Sequence, residues 1–574
     1  MKADRVEAAK QRIAGEESVA ETVPPLQTSL APDTAPLALV ATNTTRPPLF
    51  TRPVAIALAL LFLLGFGLRL GGVGEIGFAE DEINKLEAVR AYARGRITPN
   101  AEHPMLMKSL MLASVSVANA WNAHTGPQHQ SSDEAALRFP NVFFGALTVL
   151  PLFLLTAALF GRQTGLVAAA LWAFGTGAIT YNRIAKEDTL LVFFMLLAFF
   201  CYLRAKQSSG FEPARKRRYY AVSAVAFGLM FASKYFPHYF GLNMLYHHLV
   251  PQRERLPGEP RGRTPAFFYP LVALAFLVAN PAVLLPETWR YLTVYSSEQL
   301  LTHHGYLMGD TLYLNQMSAT PFGGTPFYFY LLFLAIKTPL PLLVAFVVGL
   351  CETVRRRREP GGAFLLLMFL LWIVPYSLAG AKWLRYALSL LPFVYMIAAV
   401  GVMWVMIRLA PRVGEVASFF SPAQVVRVLA LAFFVLAPAW SALTAGPHYA
   451  LYTNPLAAGR AGYFFPHDEF YDDGLREAIR YVAERAPPGA TIIHETPGVV
   501  RHYLQKISRT DLHSRVLSAA DFTVSDAPTP SYFILQRGRT YFENREKMDE
   551  VRARLTKVYE GRIKGASAVE VYVK

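Results

Sequence analysis

The chain has 574 residues, 53% hydrophobic and 17% charged, with a formal net charge of +15. A soluble domain carries about 25% charged residues; here the deficit lies in apolar runs near the roughly 20 residues that cross a bilayer, which excludes an ordinary soluble enzyme. The positive charge does not point to nucleic acid, because most of it sits in short loops between those runs, where Lys and Arg fix topology.

Residues 1–50, rich in Pro, Ala, Thr and charge and without an h-region followed by a cleavage site, read as a disordered cytoplasmic tail. The run from Pro53 then acts as an uncleaved signal anchor. Further apolar runs follow, and the eleven spans are expected at about 53–71, 136–160, 163–181, 188–203, 219–235, 237–250, 265–286, 336–354, 362–380, 384–409 and 425–444. The run 105–121, which contains Lys108, is assigned to the membrane interface. With it excluded from the spans, Arg162, Arg204 to Arg218, Arg253 to Arg263 and Arg355 to Arg358 all face the cytoplasm, as the positive-inside tendency requires. The N-terminus is then inside, and 72–135, 287–335 and 446–574 face out from an inner (plasma) membrane. Cys201 and Cys351 fall near cytoplasmic helix ends, so no disulfide or Cys metal motif is expected.

Just after the first span come Glu80, Asp81 and Glu82. Ile83, Leu86, Val89 and Ala93 recur at helical spacing and Gly95 can end the helix, which predicts a short amphipathic helix lying on the membrane with three acids at its start. That position suits carboxylates through the helix dipole, so a purely structural role competes evenly for this segment alone. Glu187 and Asp188 form a second acidic pair at the outer mouth between the third and fourth spans. Acids at a membrane boundary are costly unless paired or hydrated, and two clusters on one side suggest a shared polar cleft.

Outer-boundary cations complete the pattern: Arg138, Arg183, Lys186, Lys234, Lys337, Lys382 and Arg385. Lys337 precedes Arg355 by 18 residues, roughly 27 Å of helix, or about one hydrocarbon thickness. Thr338, Pro339 and Pro341 would break or start a helix there. Any one such cation can simply snorkel to headgroups, but seven at a common level suit the phosphate of an isoprenoid donor.

The order of these motifs carries a resemblance. Asp81-Glu82, then Glu102-His103-Pro104 and Lys108, then Arg138, then Arg183-x-x-x-Glu187-Asp188 resembles the protein O-mannosyltransferase family and the wider group of bacterial lipid-linked sugar transferases that includes the aminoarabinose transferase of lipid A. His304 to Tyr306, Pro326 to Tyr330, Lys337 to Pro341 and Lys382 to Tyr386 look like bacterial members of that group, and the similarity spans about 53–410. The sequence departs from the family at His103-Pro-Met-Leu106, usually His-Pro-Pro-Leu, and its loop 287–335 is too short for the β-trefoil of the eukaryotic enzymes.

The resemblance implies an α-helical polytopic membrane protein of the GT-C fold with about 11 transmembrane helices. It further implies transfer of a mannose-like sugar from a polyprenyl-phosphate donor to a hydroxyl of an acceptor protein or glycolipid. Asp81 is the expected base, with Glu82, Glu187 and Asp188 as further catalytic acids; Glu82 or Glu187 would raise its pKa by like-charge repulsion. Glu80, His103, Lys108, His303 and His304 are expected around the cleft. A divalent cation, Mg²⁺ or Mn²⁺, is left open as cofactor, since crowded carboxylates suit hard ions. A transporter or flippase is the rival reading; no inverted repeat is detectable and the polar residues lie away from the midplane.

After Pro447 the composition turns polar. Helices over 474–486, 498–504 and 542–555 and strands over 491–494, 531–535 and 568–573 predict a small extracytoplasmic α/β module, with 464–469 placed to pack against the cleft.

Overall fold

The computed structural model describes residues 49–254, 257–260, 263–296, 303–316, 323–409 and 422–574; the expected tail lies almost wholly outside them. Helix α1 (Arg52–Leu70) has Pro53 in its first turn, where the fixed φ and missing N–H cost nothing. Helix α2 (Glu80–Tyr92) carries the three acids, and Gly95 turns the chain out of it at φ +79. Helix α3 is Met105–His124; α4 (Asp133–Leu147) and α5 (Val149–Phe160) run on as one apolar rod over Pro127–Phe160. Helices α6 (Arg162–Phe174) and α7 (Thr176–Asn182) form a pair bent by 58°, and α8 (Asp188–Gln207) follows. Next come α9 (Pro213–Ser233), α10 (His238–Leu249), α11 (Phe268–Ala279), α12 (Pro286–Ser296), the hairpin β1 (Tyr306–Met308) and β2 (Thr311–Tyr313), and α13 (Phe329–Lys337). Helices α14 (Leu340–Arg355), α15 (Pro360–Leu378), α16 (Leu391–Arg408) and α17 (Pro422–Ala445) close the helical body.

By length and composition, six described helices can cross a membrane: α1, the α4–α5 rod, α8, α15, α16 and α17, with the bent α6–α7 pair a seventh. The other four expected runs form α9, α10, α11 and α14, which are short or begin in charge. Helix α9 opens on Arg215 to Arg218, α10 and α11 have 12 residues each, and α14 is cut from α13 at Thr338 and Pro339. Buried Leu190, Leu191, Val192, Met195 and Phe199 place α8 inside the bundle, whereas α1 and α17 leave Leu63, Leu64, Leu436 and Trp440 exposed, as lipid-facing helices do. Helices α14 and α16 meet at Gly349 and Gly401, where an added Cβ would strike the Ile397 and Ala345 carbonyls. Small residues are what permit such backbone approach.

The C-terminal module contains α18 (Pro466–Phe470), α19 (Leu475–Arg485), β3 (Thr491–His494), α20 (Pro497–Lys506), β4 (His513–Val516), β5 (Ser531–Gln536), α21 (Arg545–Arg554), β6 (Thr556–Ile563) and β7 (Ala566–Val573). Its sheet has the order β4-β3-β5-β7-β6, parallel at β4-β3-β5 and antiparallel beyond. Successive side chains of a strand face opposite ways. Ile492 and Ile534 thus join a cluster with α19 and α20, while Ile493, Phe533 and Leu535 pack with Met548 and Val551 of α21.

That first cluster corrects one expectation. Ile83, Leu86 and Val89 of α2 are buried against Ile479, Val499 and Val500 of the module, together with Met107 and Met111 of α3. The apolar face of α2 is covered by protein, so the helix has no apolar stripe left to lay on lipid. The acids at its start are therefore held rigidly between the helical body and the module.

Candidate functional site

Glu82 ties three segments together. Its Oε2 accepts the Ala79 N–H at 3.1 Å, its Oε1 accepts the Ala185 N–H at 2.9 Å, and Arg138 donates Nε to Oε1 at 2.7 Å and Nη2 to Oε2 at 2.5 Å. Arg138 spends its remaining donors on the carbonyls of Val73, Ile76 and Gly77. Expected as a catalytic acid and a phosphate ligand, the two are instead a buried ion pair that fixes the start of α2 against α4. A carboxylate with four donors and a guanidinium with no free edge have nothing left for a substrate.

Asp81, one residue earlier, turns the other way into an open cleft of about 420 Å³. Its Oδ2 lies 2.8 Å from Lys186 Nζ and 3.0 Å from Arg385 Nη1, and accepts the Tyr471 hydroxyl at 3.2 Å. Among the described residues its Oδ1 accepts no hydrogen bond. Burial alone would raise this carboxyl, but Lys186 and Arg385 outweigh it and hold the pKa well below the usual carboxylate range. The expected rise through repulsion is thus reversed: Glu82 is spent on Arg138, and cations, not anions, touch Asp81.

The loop before α8 supplies the cleft's other wall. Glu187 contacts Lys85 at 2.5 Å with His103 at 3.8 Å, and Asp188 contacts Lys234 at 2.6 Å. Lys85 stands one helical turn after Asp81, which is how α2 serves both acidic clusters. Burial drives the His103 imidazole well below its ordinary range, so it is neutral at pH 7.

The module forms the third wall. Arg539 donates Nη1 to Glu80 at 2.8 Å and Nε to Asp472 at 2.7 Å, and Asp472 accepts the Glu80 N–H at 3.0 Å. Burial raises the Glu80 carboxyl despite Arg539, whereas the same arginine overcomes burial at Asp472 and lowers it. Tyr471 and Asp472 both have positive φ, +46 and +62. Consecutive non-glycine residues in that region are strained, and such strain concentrates where side chains must be aimed.

Of the expected cleft residues, the structure gathers Glu80, Asp81, His103, Lys186, Glu187, Asp188, Lys234, His303 and Arg385 around one space. The cationic ring does not hold together. Arg183 caps α1, donating to the Arg69 and Gly71 carbonyls at 2.7 and 2.6 Å. Lys337 is buried on Glu469 and the Ala450 carbonyl, and Lys382 on the carbonyls of Thr325 and Ala379. Lys108 clamps the Asn100 and His103 carbonyls, and His304 pairs with Glu543 at 3.1 Å outside the cleft. Tyr471, Asp472, Arg539 and Lys85 were not among the expected site residues; Trp383 and Tyr386, expected only as part of the Lys382 to Tyr386 motif, back Arg385 with their rings at 5.5 and 5.6 Å.

The cleft carboxylates do not form a metal donor set as they stand. Asp81, Glu187 and Asp188 each carry a cationic side chain within 2.8 Å. Among the described residues no group of three His, Cys, Asp or Glu is arranged to hold an ion.

Residues 117–285 match the family model described as dolichyl-phosphate-mannose-protein mannosyltransferase. That match and the motif order both resemble one class, the polytopic membrane glycosyltransferases of GT-C type. Among solved structures the chain is similar to ArnT from Cupriavidus metallidurans in the apo state, at 13% identity and TM-score 0.49, covering 91% of this chain and 97% of that one. A structure of the same protein bound to undecaprenyl phosphate has 12% identity, TM-score 0.48 and the same coverage. The archaeal oligosaccharyltransferase AglB from Archaeoglobus fulgidus, in complex with an inhibitory peptide and a dolichol-phosphate, has 12% identity and TM-score 0.48, over 81% of this chain and 64% of that one. No curated protein matches the chain.

Proposed function

We propose that the protein transfers a mannose-like sugar from a polyprenyl-phosphate donor to an acceptor hydroxyl on the extracytoplasmic face of the inner membrane. The observation that carries this reading is Asp81, a lining residue of the open cleft with one carboxylate oxygen against two cations and a tyrosine. Lys186, Arg385 and Lys234 are the donor-phosphate ligands in this reading, and the acceptor hydroxyl meets Asp81 Oδ1. In a single displacement the acceptor oxygen bonds to the anomeric carbon as the bond from that carbon to the phosphate oxygen breaks. The hydroxyl proton passes to Asp81, and the departing polyprenyl phosphate keeps the cations that neutralise its developing charge. Phosphate leaves without a dedicated acid, unlike the leaving group of a glycoside hydrolase.

The lowered pKa of Asp81 has a mechanistic consequence. A donor phosphate drawing Lys186 and Arg385 away would release the carboxylate's pKa upward, making it a base only once the donor is seated. In the same reading the N-terminus is cytoplasmic, and 446–574 is an extracytoplasmic domain whose Tyr471 and Arg539 aim the acids of α2. Lipid A and other glycolipids remain the alternative acceptors to protein.

The test is transfer of label from a panel of radiolabelled polyprenyl-phosphate sugars, mannose first, into membrane fractions containing wild type or Lys186→Ala. Label moved by wild type and lost in the variant supports the reading. Wild type that moves no label from any donor overturns it.

A further inference from the structure

Beside the cleft runs a second groove, of about 490 Å³, lined by Arg90, Arg94 and Arg96. All three are exposed, and among the described residues none has an ion-pair partner. They lie on the side of the membrane assigned as outer, where basic residues are scarce. Yet they cluster, with no cytoplasmic topology role to account for them.

The groove joins the cleft. Asn84, Glu102 and Tyr291 line both spaces. Asn84, Ala88 and Ala91 repeat along one face of α2 and form the groove floor, and the two alanines are what keep it open. Asp81 and Arg90 are nine residues apart on that helix, about 14 Å along its axis. Asn84, Asn100 and Glu102 present planar hydrogen-bonding side chains along this groove. Side-chain amide, carboxylate and guanidinium groups line the groove, the mixed donors and acceptors that a saccharide's hydroxyl and anionic groups use.

We infer that this groove is an acceptor subsite for an acidic saccharide, whose phosphate or carboxylate group rests on Arg90, Arg94 and Arg96 while a hydroxyl more than one sugar ring away reaches Asp81. The inference rests on the transferase reading for the meaning of "acceptor", but the binding it requires is measurable alone. Guanidinium forks suit either anion.

The test is binding to full-length protein in detergent micelles. The probes are trigalacturonate and its neutral methyl ester, a phosphorylated glucosamine disaccharide and its dephosphorylated form, and a glutamate-rich peptide of equal charge. The expected result is that at least one charged saccharide binds about 10-fold or more tightly than its neutral form. The triple variant Arg90→Gln, Arg94→Gln, Arg96→Gln loses that preference while binding polyprenyl phosphate as wild type does. Which charged saccharide binds more tightly identifies the anion. Equal binding of charged and neutral forms, no binding of either charged saccharide, an unaffected triple variant, or a peptide bound as tightly as the saccharides overturns the inference. Failure of wild type to bind polyprenyl phosphate counts against the donor reading and leaves the groove result standing.

Discussion

Replacing Arg138 by methionine removes a guanidinium that donates five hydrogen bonds, two to Glu82 and three to the Val73, Ile76 and Gly77 carbonyls. Glu82 is fully buried, so the variant strands a carboxylate beside backbone that has lost its donors. Breaking a buried ion pair from one side costs about 3–5 kcal/mol, a large share of the roughly 5–15 kcal/mol that holds a typical domain. The assay is the monodisperse fraction of detergent-solubilised protein after heating, followed by polyprenyl-phosphate binding of the fraction that survives. The variant should lose most of its heat resistance, and the survivors should bind the lipid phosphate as wild type does. Glu82→Gln in the same chain should restore part of the loss, because no unpaired charge then remains. An Arg138→Met protein as heat-stable as wild type that no longer binds polyprenyl phosphate would show that the arginine serves the ligand, and the buried-pair reasoning would be wrong.

Other expectations follow from the same geometry. Gly349→Ala should prevent α14 and α16 from seating, since its methyl would land on the Ile397 carbonyl; expression of monodisperse protein measures this, and wild-type yield would refute it. Tyr471→Phe removes a hydroxyl from Asp81 and should lower kcat about 10-fold, the worth of a hydrogen bond to a charged group, with donor KM little changed; a KM effect alone would contradict the assignment. Asp472 has a folded pKa below its unfolded value, because Arg539 overcomes burial. Its contribution to stability is therefore complete above about pH 4 and drains away as pH falls through the folded value. Asp472→Asn should melt lower at pH 7 and lose less than wild type between pH 5 and 3; parallel melting curves would refute the linkage.

The apolar runs were legible because hydropathy is a local property of the sequence. Asp81, Glu187 and Asp188 could be read as cleft residues since each follows or precedes a span by few residues. What could not be read is which way neighbours point. Glu80, Asp81 and Glu82 are adjacent, yet helical geometry sends Asp81 to the cleft and Glu82 into Arg138, and only the packed α4 decides between them. Arg138, Arg183 and Lys337 satisfy outer-boundary spacing as well as Lys186 does, but each finds backbone carbonyls or a buried acid first. Tyr471 and Arg539 lie 390 and 458 residues beyond Asp81 in a polar module, where nothing local marks them except, in retrospect, the strained Tyr471–Asp472 turn. Strands β4 and β6 were missed for a simpler reason. His513 to Arg515 are exposed edge residues, and β6 carries two register irregularities that blur its alternation.

The most direct measurement pairs turnover with donor binding in Asp81→Asn. With the charge removed, Lys186 and Arg385 lose the carboxylate they face and are free for phosphate. The result expected is a fall in sugar transfer of about 100-fold or more together with polyprenyl-phosphate affinity equal to or tighter than wild type. A variant that transfers sugar normally, or that loses the lipid phosphate instead of holding it, would contradict the placement of Asp81 between donor phosphate and acceptor.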